Sequence, residues 1–325
     1  MRTDRQRAWL VGLAVVVIAV GLASLLVGSS RIAISTLWST GAEGTLARDI
    51  VWGLRLPRTL AAASVGALLA LSGTLLQVLL RNPIADPYVL GVSGGASVGA
   101  LAVLLVVGTT IWIEPAAMIG AVVTTTIVFT LARHDRTRAQ SRLLLTGVAV
   151  ASFCGAIVAL LLSLAPDGIL RGMIFWLLGD LSGSSWTVAF VGVLVAVPLG
   201  WLFGRELDLL SFGDERAASL GVSVARVRLG IFVAAAVMTA IAVTTAGMIG
   251  FVGLIVPHAM RLLVGPSHRV LMPAAALGGA GTLMLADVIS RIVIAPAQLP
   301  VGVVTALVGA PLFVWLLSRT QPGAR

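Results

Sequence analysis

Apolar runs of span length, separated by short arginine-bearing stretches, dominate the chain. The first, AWLVGLAVVVIAVGLASLLVG (8–28), contains no charged residue. Further runs lie at 59–80, 90–107, 112–132, 143–165, 187–204, 229–246, 248–264, 270–294 and 300–318. A bilayer core of about 30 Å is crossed by about 20 helical residues. In lipid the backbone satisfies its own hydrogen bonds only as a helix or a closed barrel. Barrel strands alternate apolar and polar positions, and these runs do not, so they predict helices. Segments 90–107 and 248–264 are short and glycine-rich, which leaves hydropathy alone between eight and ten spans.

Arginine position decides the count. All 22 basic residues are arginine, and they are dense in five stretches: 2–7, 133–142, 205–228, 261–269 and 319–325. Cytoplasmic segments carry the excess of basic charge. If all five stretches share that side, an even number of spans separates neighbours, and the apolar runs supply four, two, two and two. The parity predicts an all-α membrane protein of about ten transmembrane helices, both termini cytoplasmic, forming one transmembrane domain over 1–325. Six arginines (Arg31, Arg48, Arg55, Arg58, Arg171, Arg291) then face outward against the trend. The first run is too long for a signal-peptide core and no cleavage site follows it, so it reads as a span.

Composition agrees and excludes several activities. Charged residues make up 11% of the chain and hydrophobic ones 58%, against about 25% charged in soluble domains. The net charge of +9 is strung between apolar runs rather than gathered in a patch, which argues against nucleic acid. Lysine is absent, so a phosphate-binding P-loop is excluded, and any ATP must be bound by another chain. Cys154 is the one cysteine, and His134, His258 and His268 show no ligand spacing, so no metal or cofactor site is expected. GVSGG (91–95) matches a serine nucleophile elbow, which needs a strand and a nearby histidine and acid. With no strand it reads as a glycine-rich helix entry, and no catalytic residue is assigned. His258 and Arg261, three apart at a helix end, read as partners for terminal carbonyls.

The acid best placed for ion coupling is Asp287, four residues before Arg291, a spacing at which the two pair. That scarcity of membrane acids speaks against a proton- or sodium-driven carrier. Small residues crowd LAAASVGALLALSG (60–73) and ALGGAGTL (276–283), as close helix packing in lipid requires. Spans two to five and seven to ten start on opposite sides, as an inverted repeat would.

Two polar stretches are candidates for partner contacts. In the cytoplasmic segment 205–228, Asp214 is placed to N-cap a short helix DERAASL and Gly221 to end it in the left-handed conformation. Ala217, Ala218 and Leu220 beside Glu215 and Arg216 would give it a small apolar face with a charged rim. Such a face suits a helix that docks in a partner's groove; a solvated connector is the alternative. Outside, LRLPRT (54–59) sets Arg55 and Arg58 around Pro57. They either snorkel to headgroups or offer guanidinium forks to carboxylates of a soluble partner.

At these residues the chain resembles the FecCD-type permeases of ABC importers, which carry iron–siderophores, haem and vitamin B12. The resemblance runs from about residue 50 onward. It is carried by RLPRTLAA (55–62), SGTLLQVLLRNPIADPYVLGVSGGASVGA (72–100), GDERAASLGV (213–222), GFVGLIVPHAMRLLVGPSHR (250–269), LADVISR (285–291) and LPVGVVTALVGAPLFVWLL (299–317). It implies a type II ABC importer permease fold in the bacterial cytoplasmic (inner) membrane. The expected partners are a second copy of the chain (a homodimer, with a paralogue in its place left open), two cytoplasmic ATPases that hold the ATP and magnesium, and an extracytoplasmic substrate-binding protein. Arg55, Arg58 and Arg291 match positions that dock the binding protein's glutamates. Gly213, Asp214, Glu215, Ala217, Ala218, Leu220 and Gly221 match the ATPase-coupling helix. RNPIAD (81–86) matches a cytoplasmic gate with Asn82 and Ile84, and Ser141 lies near a second gate position. Gln298 departs from the family, where glutamate commonly precedes LPVG. Tyr88 in DPYVLGVSGG is more similar to siderophore permeases than to haem permeases, so an Fe(III)-siderophore is the expected cargo. Haem and corrinoid are the alternatives, and an ion-coupled secondary transporter is the alternative from another class.

Overall fold

The computed structural model describes residues 2–28, 33–108, 111–132 and 139–319, and among them it contains helices and turns but no strand. In chain order the helices are α1 (Arg2–Leu26), α2 (Ala42–Arg48), α3 (Leu56–Leu79), α4 (Val92–Val106), α5 (Ile113–Ala132), α6 (Ala139–Leu164) and α7 (Asp167–Leu177). They continue as α8 (Thr187–Leu202), α9 (Gly204–Ser211), α10 (Asp214–Ser219), α11 (Val224–Ala246), α12 (Val252–Val264), α13 (His268–Ile292) and α14 (Val301–Arg319). α2 runs through a π-turn, Asp49–Arg55, into α3.

Six helices are long and apolar enough to cross a bilayer: α1, the continuous α2–α3, α5, α6, α11 and α13. α8 and α9 form a seventh, bent by 62°, and α4, α12 and α14 are shorter apolar helices. Each lies on one of the ten apolar segments. Two elements were not visible in the pattern: α2 with its π-turn, and α7, which at 11 residues is too short to span.

α3 is the centre, buried along nearly its whole length from Thr59 to Leu79. Pro57 lies in its first turn, directly after the π-turn. Small residues let its neighbours approach closely. A Cβ on Gly66 would strike the Gly279 carbonyl on α13, and a Cβ on Gly279 would strike that of Gly66. Gly95 on α4 and Gly120 on α5 exclude each other's side chains in the same way. Hydroxyls reinforce the contacts: Ser72 Oγ donates to the Ala235 carbonyl of α11 at 2.9 Å and meets Thr239 Oγ1 at 2.8 Å. Outward surfaces of α1 and α8 (Val11, Val15, Ile18; Val188, Val191, Leu194) stay apolar and exposed.

α4 and α12 are both short, and both begin abruptly. Each follows a residue in the left-handed region, Gly91 (φ 73°) before α4 and Phe251 (φ 68°) before α12. The chain before α12 is unwound from Gly247 to Phe251. Non-helical backbone at this depth must find partners in the protein. The Tyr88 hydroxyl supplies two: it donates to the Ile249 carbonyl at 2.9 Å and accepts from the Ile249 N–H at 2.6 Å. One phenol thus joins the entries to both short helices.

Replacing Tyr88 with phenylalanine strands both Ile249 groups, a cost of about 2 kcal/mol. Thermal unfolding of the purified permease should register a lower melting temperature; an unchanged one would show that the two bonds carry no weight.

Candidate functional site

Arginine asymmetry labels the two ends of the bundle. At the outer end Arg55 and Arg58, and Arg291 far from them in sequence, meet at the ends of α1, α3 and α13. Arg58 and Arg291 share Asp287 on α13, which is 0% exposed, while Arg55 binds the end of α1. Asp287 Oδ1 accepts from Arg58 Nε at 2.7 Å, and Oδ2 lies 3.0 Å from Arg291 Nε. Arg291 Nη1 donates to the Ser24 and Val27 carbonyls, and its Nη2 to Ser24 Oγ. Arg55 Nη1 donates to the Leu25 and Leu26 carbonyls. The end of α1 is therefore capped by two guanidiniums, whose positive charge also complements the helix dipole.

Two of the three arginines, Arg55 and Arg291, are buried and turned inward rather than displayed. Arg58 differs. Its side chain is 11% exposed, and its Nη1 reaches Gln298 Oε1 at 2.7 Å and Ser182 Oγ at 3.0 Å. Gln298 is half-buried and Ser182 exposed. Asp287 is shared by two guanidiniums, so this pairing leaves a net positive charge at the outer end. Sequence spacing revealed the Asp287–Arg291 pair but not Arg58 as its second partner, because those residues lie 229 positions apart. Ser24 and Ser182 carried no signal at all.

At the inner end, α9 and α10 lie under the starts of α11 and α13. Asp214 does not N-cap α10. Gly213 does, at φ 117°, with no side-chain cap. The reason is electrostatic: the Asp214 carboxylate bridges Arg81 and Arg228, the latter at 2.7 Å, and so ties α10 to the end of α3 and the start of α11. Gly221 adopts the left-handed conformation expected of it (φ 85°). Ala217 is turned inward and fully buried, so it does not belong to the exposed face. That face consists of Ala218 and Leu220 (60% exposed), rimmed by Glu215 and Arg216. Phe212, 67% exposed just before Gly213, extends it and was missed in the sequence. Its signal was an aromatic residue in an arginine-rich loop.

In the proposed gate region, Asn82 Oδ1 accepts from the Ile84 N–H at 3.1 Å and closes a turn that leaves Ile84 exposed. Arg81 enters this turn at φ 46°. Residues 133–138 and the Ser141 side chain lie outside the described residues, so the second gate position has no structural account. Ser93 of GVSGG is buried in the first turn of α4.

Discontinuous apolar helices packed around a buried central helix make this a multispan membrane protein. The model of the FecCD transport family matches residues 16–319, and the chain belongs to that family. It is 40% identical over 322 residues to the hemin transport system permease protein HmuU of Yersinia pestis, covering 94% of this chain and 93% of the relative. It is 41% identical over 326 residues to the vitamin B12 import system permease protein BtuC of Vibrio cholerae, covering 98% and 96%. Among solved structures, an ABC transporter assigned to the metal-chelate type, in an inward-facing conformation, superposes with a TM-score of 0.84 at 30% identity. That match covers 96% of this chain and 99% of the other. PsaBC from Streptococcus pneumoniae, at 17% identity and a TM-score of 0.57 over 80% and 90%, shares the fold. The chain is an ABC importer permease of the cytoplasmic membrane.

Asp287 has no solvent to replace a lost partner, and breaking a buried pair costs about 3–5 kcal/mol. Asp287→Asn should lower the melting temperature of the purified permease more than a surface Asp→Asn change does. Equal shifts would mean that the pairing is not stabilising.

Proposed function

We propose that this chain forms half of a pore through which a metal chelate enters the cell, delivered from outside by an acidic binding protein and driven from inside by ATPases. What carries this reading is the combination of family membership with an outer carboxylate shared by two guanidiniums, a pairing that leaves net positive charge. Carboxylates on a soluble partner complement that excess, with Arg58 the most accessible contact. Inside, Phe212, Ala218 and Leu220 present the apolar face of a short helix whose charged rim suits a cleft on an ATPase. The Asp214 bridge to Arg81 and Arg228 would pass motion of that helix to α3 and α11. Arg81 also opens the turn that bears Asn82 and Ile84, so the same push would reach the proposed gate. A second copy completes the pore, and the two halves rock between outward- and inward-facing states. ATP and magnesium sit on the ATPases, and this chain itself makes and breaks no covalent bond.

For the cargo, an Fe(III)-siderophore is the proposal, with haem or a corrinoid as the alternatives. The haem and corrinoid alternatives draw support from the names of the relatives, HmuU and BtuC. The siderophore proposal rests on resemblance around Tyr88, whose hydroxyl is bound to Ile249 rather than open to a ligand. An ion-coupled carrier is disfavoured because Asp287, the acid the sequence offers for coupling, is held by two guanidiniums.

Reversing the charge at Arg58 (Arg58→Glu) should weaken binding-protein docking at least about tenfold at low salt, a loss of about 1.4 kcal/mol. Undiminished docking would remove Arg58 from the surface. On the inner side, Phe212→Asp with Leu220→Asp should abolish co-purification of the ATPase while leaving the permease folded. Retained co-purification would place the ATPase contact elsewhere.

A further inference from the structure

The three outer arginines differ in how they are held. Arg55 and Arg291 donate to backbone carbonyls of α1, partners that cannot be exchanged without fraying that helix. Arg58 is held differently on its two sides. Nε is fixed by the buried Asp287 carboxylate. Nη1 is held by two neutral, surface-level oxygens, Gln298 Oε1 and Ser182 Oγ. Nη2 makes no hydrogen bond among the described residues. An incoming carboxylate needs two neighbouring N–H groups to bind as a fork, and the Nη1–Nη2 edge is the one that neutral ligands leave exchangeable.

We propose that Gln298 is the specificity-determining residue of this edge: it holds Arg58 in place with a neutral oxygen, which a carboxylate of the docking protein displaces. The inference rests on the docking reading above and refines it. A neutral amide orients the guanidinium without cancelling its charge. A carboxylate adds opposite charge and a two-bond fork that a neutral amide oxygen cannot supply, so exchange of amide for carboxylate runs toward docking. Ser182 contributes a second neutral oxygen, its own N–H fixed by Asp180 Oδ1 at 2.8 Å. Glutamate at 298 would have the reach of glutamine and the same approach to Nη1, but would bring its own carboxylate. Arg58 would then face two carboxylates, Asp287 and the new one, and would be occupied before any partner arrived. Gln298 thereby tunes how acidic a binding protein this permease accepts.

The test is a double-mutant cycle on the intact permease–ATPase complex in nanodiscs, titrated with the binding protein encoded alongside it. Gln298→Glu should weaken docking about tenfold at low salt and make its salt dependence shallower. Gln298→Ala should stay within about twofold of the parent, since the charge of Arg58 and its bond to Asp287 remain. In an Arg58→Gln background, which keeps a donor near Asp287 but removes the charge, Gln298→Glu should have little further effect. If Gln298→Glu weakens docking equally in that background, it repels the partner directly and the proposal is overturned. The proposal also falls if Gln298→Glu changes nothing while Arg58→Gln weakens docking, although the docking surface itself then stands. If Arg58→Gln leaves docking intact, the docking reading falls and this inference with it. The salt dependence of Gln298→Glu needs no change at Arg58, so it decides the matter even if Arg58→Gln fails to assemble; an unaltered slope would overturn the proposal.

Discussion

A carboxylate with no access to water is the point on which the outer half of this molecule depends. Asp287 must be paired, because an isolated charge in such surroundings is too costly to keep. Its two guanidinium partners come from different helices, so satisfying one charge draws α3 onto α13. Arg291 then carries the link to α1 through Ser24 and Val27, and Arg58 carries it to the loops that bear Ser182 and Gln298. Arg55 closes the same corner from the π-turn before α3. Arg55, Arg58 and Arg291, which defy the positive-inside trend, are therefore structural first. Only Arg58, fixed on one side and loosely held on the other, combines that duty with a surface fit for exchange.

The inner end repeats the device at the membrane's other face. There a single carboxylate on a short surface helix, Asp214, collects two arginines from the ends of α3 and α11. Nearby, Asp208 on α9 accepts from the His268 N–H at 2.8 Å and so anchors the start of α13. α13 is 25 residues long, and at about 1.5 Å per residue a helix of that length reaches from one membrane face to the other. It carries the Asp208 anchor at one end and Asp287 with Arg291 at the other. An element tied by polar contacts at both faces is a physical means of linking an inner event to an outer one.

Much of this was legible in the residues. Apolar length and arginine parity placed the helices, because lipid leaves the backbone few choices. The small-residue runs at 60–73 and 276–283 announced the close approach that Gly66 and Gly279 make. What stayed hidden depended on contacts distant in sequence. Asp214 has the composition of an N-cap, yet two arginines brought in from α3 and α11 compete for it and win. Ala217 and Ala218 are equivalent on paper, and only the packing of α10 against its neighbours separates the buried one from the exposed one. Gln298 looked like a mere departure from family habit until its oxygen was found on Arg58. Tyr88 looked like a cargo signal, while its hydroxyl binds an unwound stretch of backbone that no apolar pattern reports.

The central claim is that this chain is the passive, membrane half of an ATP-driven importer. Uptake of a labelled iron chelate into proteoliposomes, with the ATPase and ATP enclosed and the binding protein outside, tests it most directly. Accumulation should require all three components and persist when ion gradients are collapsed. Accumulation driven by a proton or sodium gradient without ATP would contradict the account.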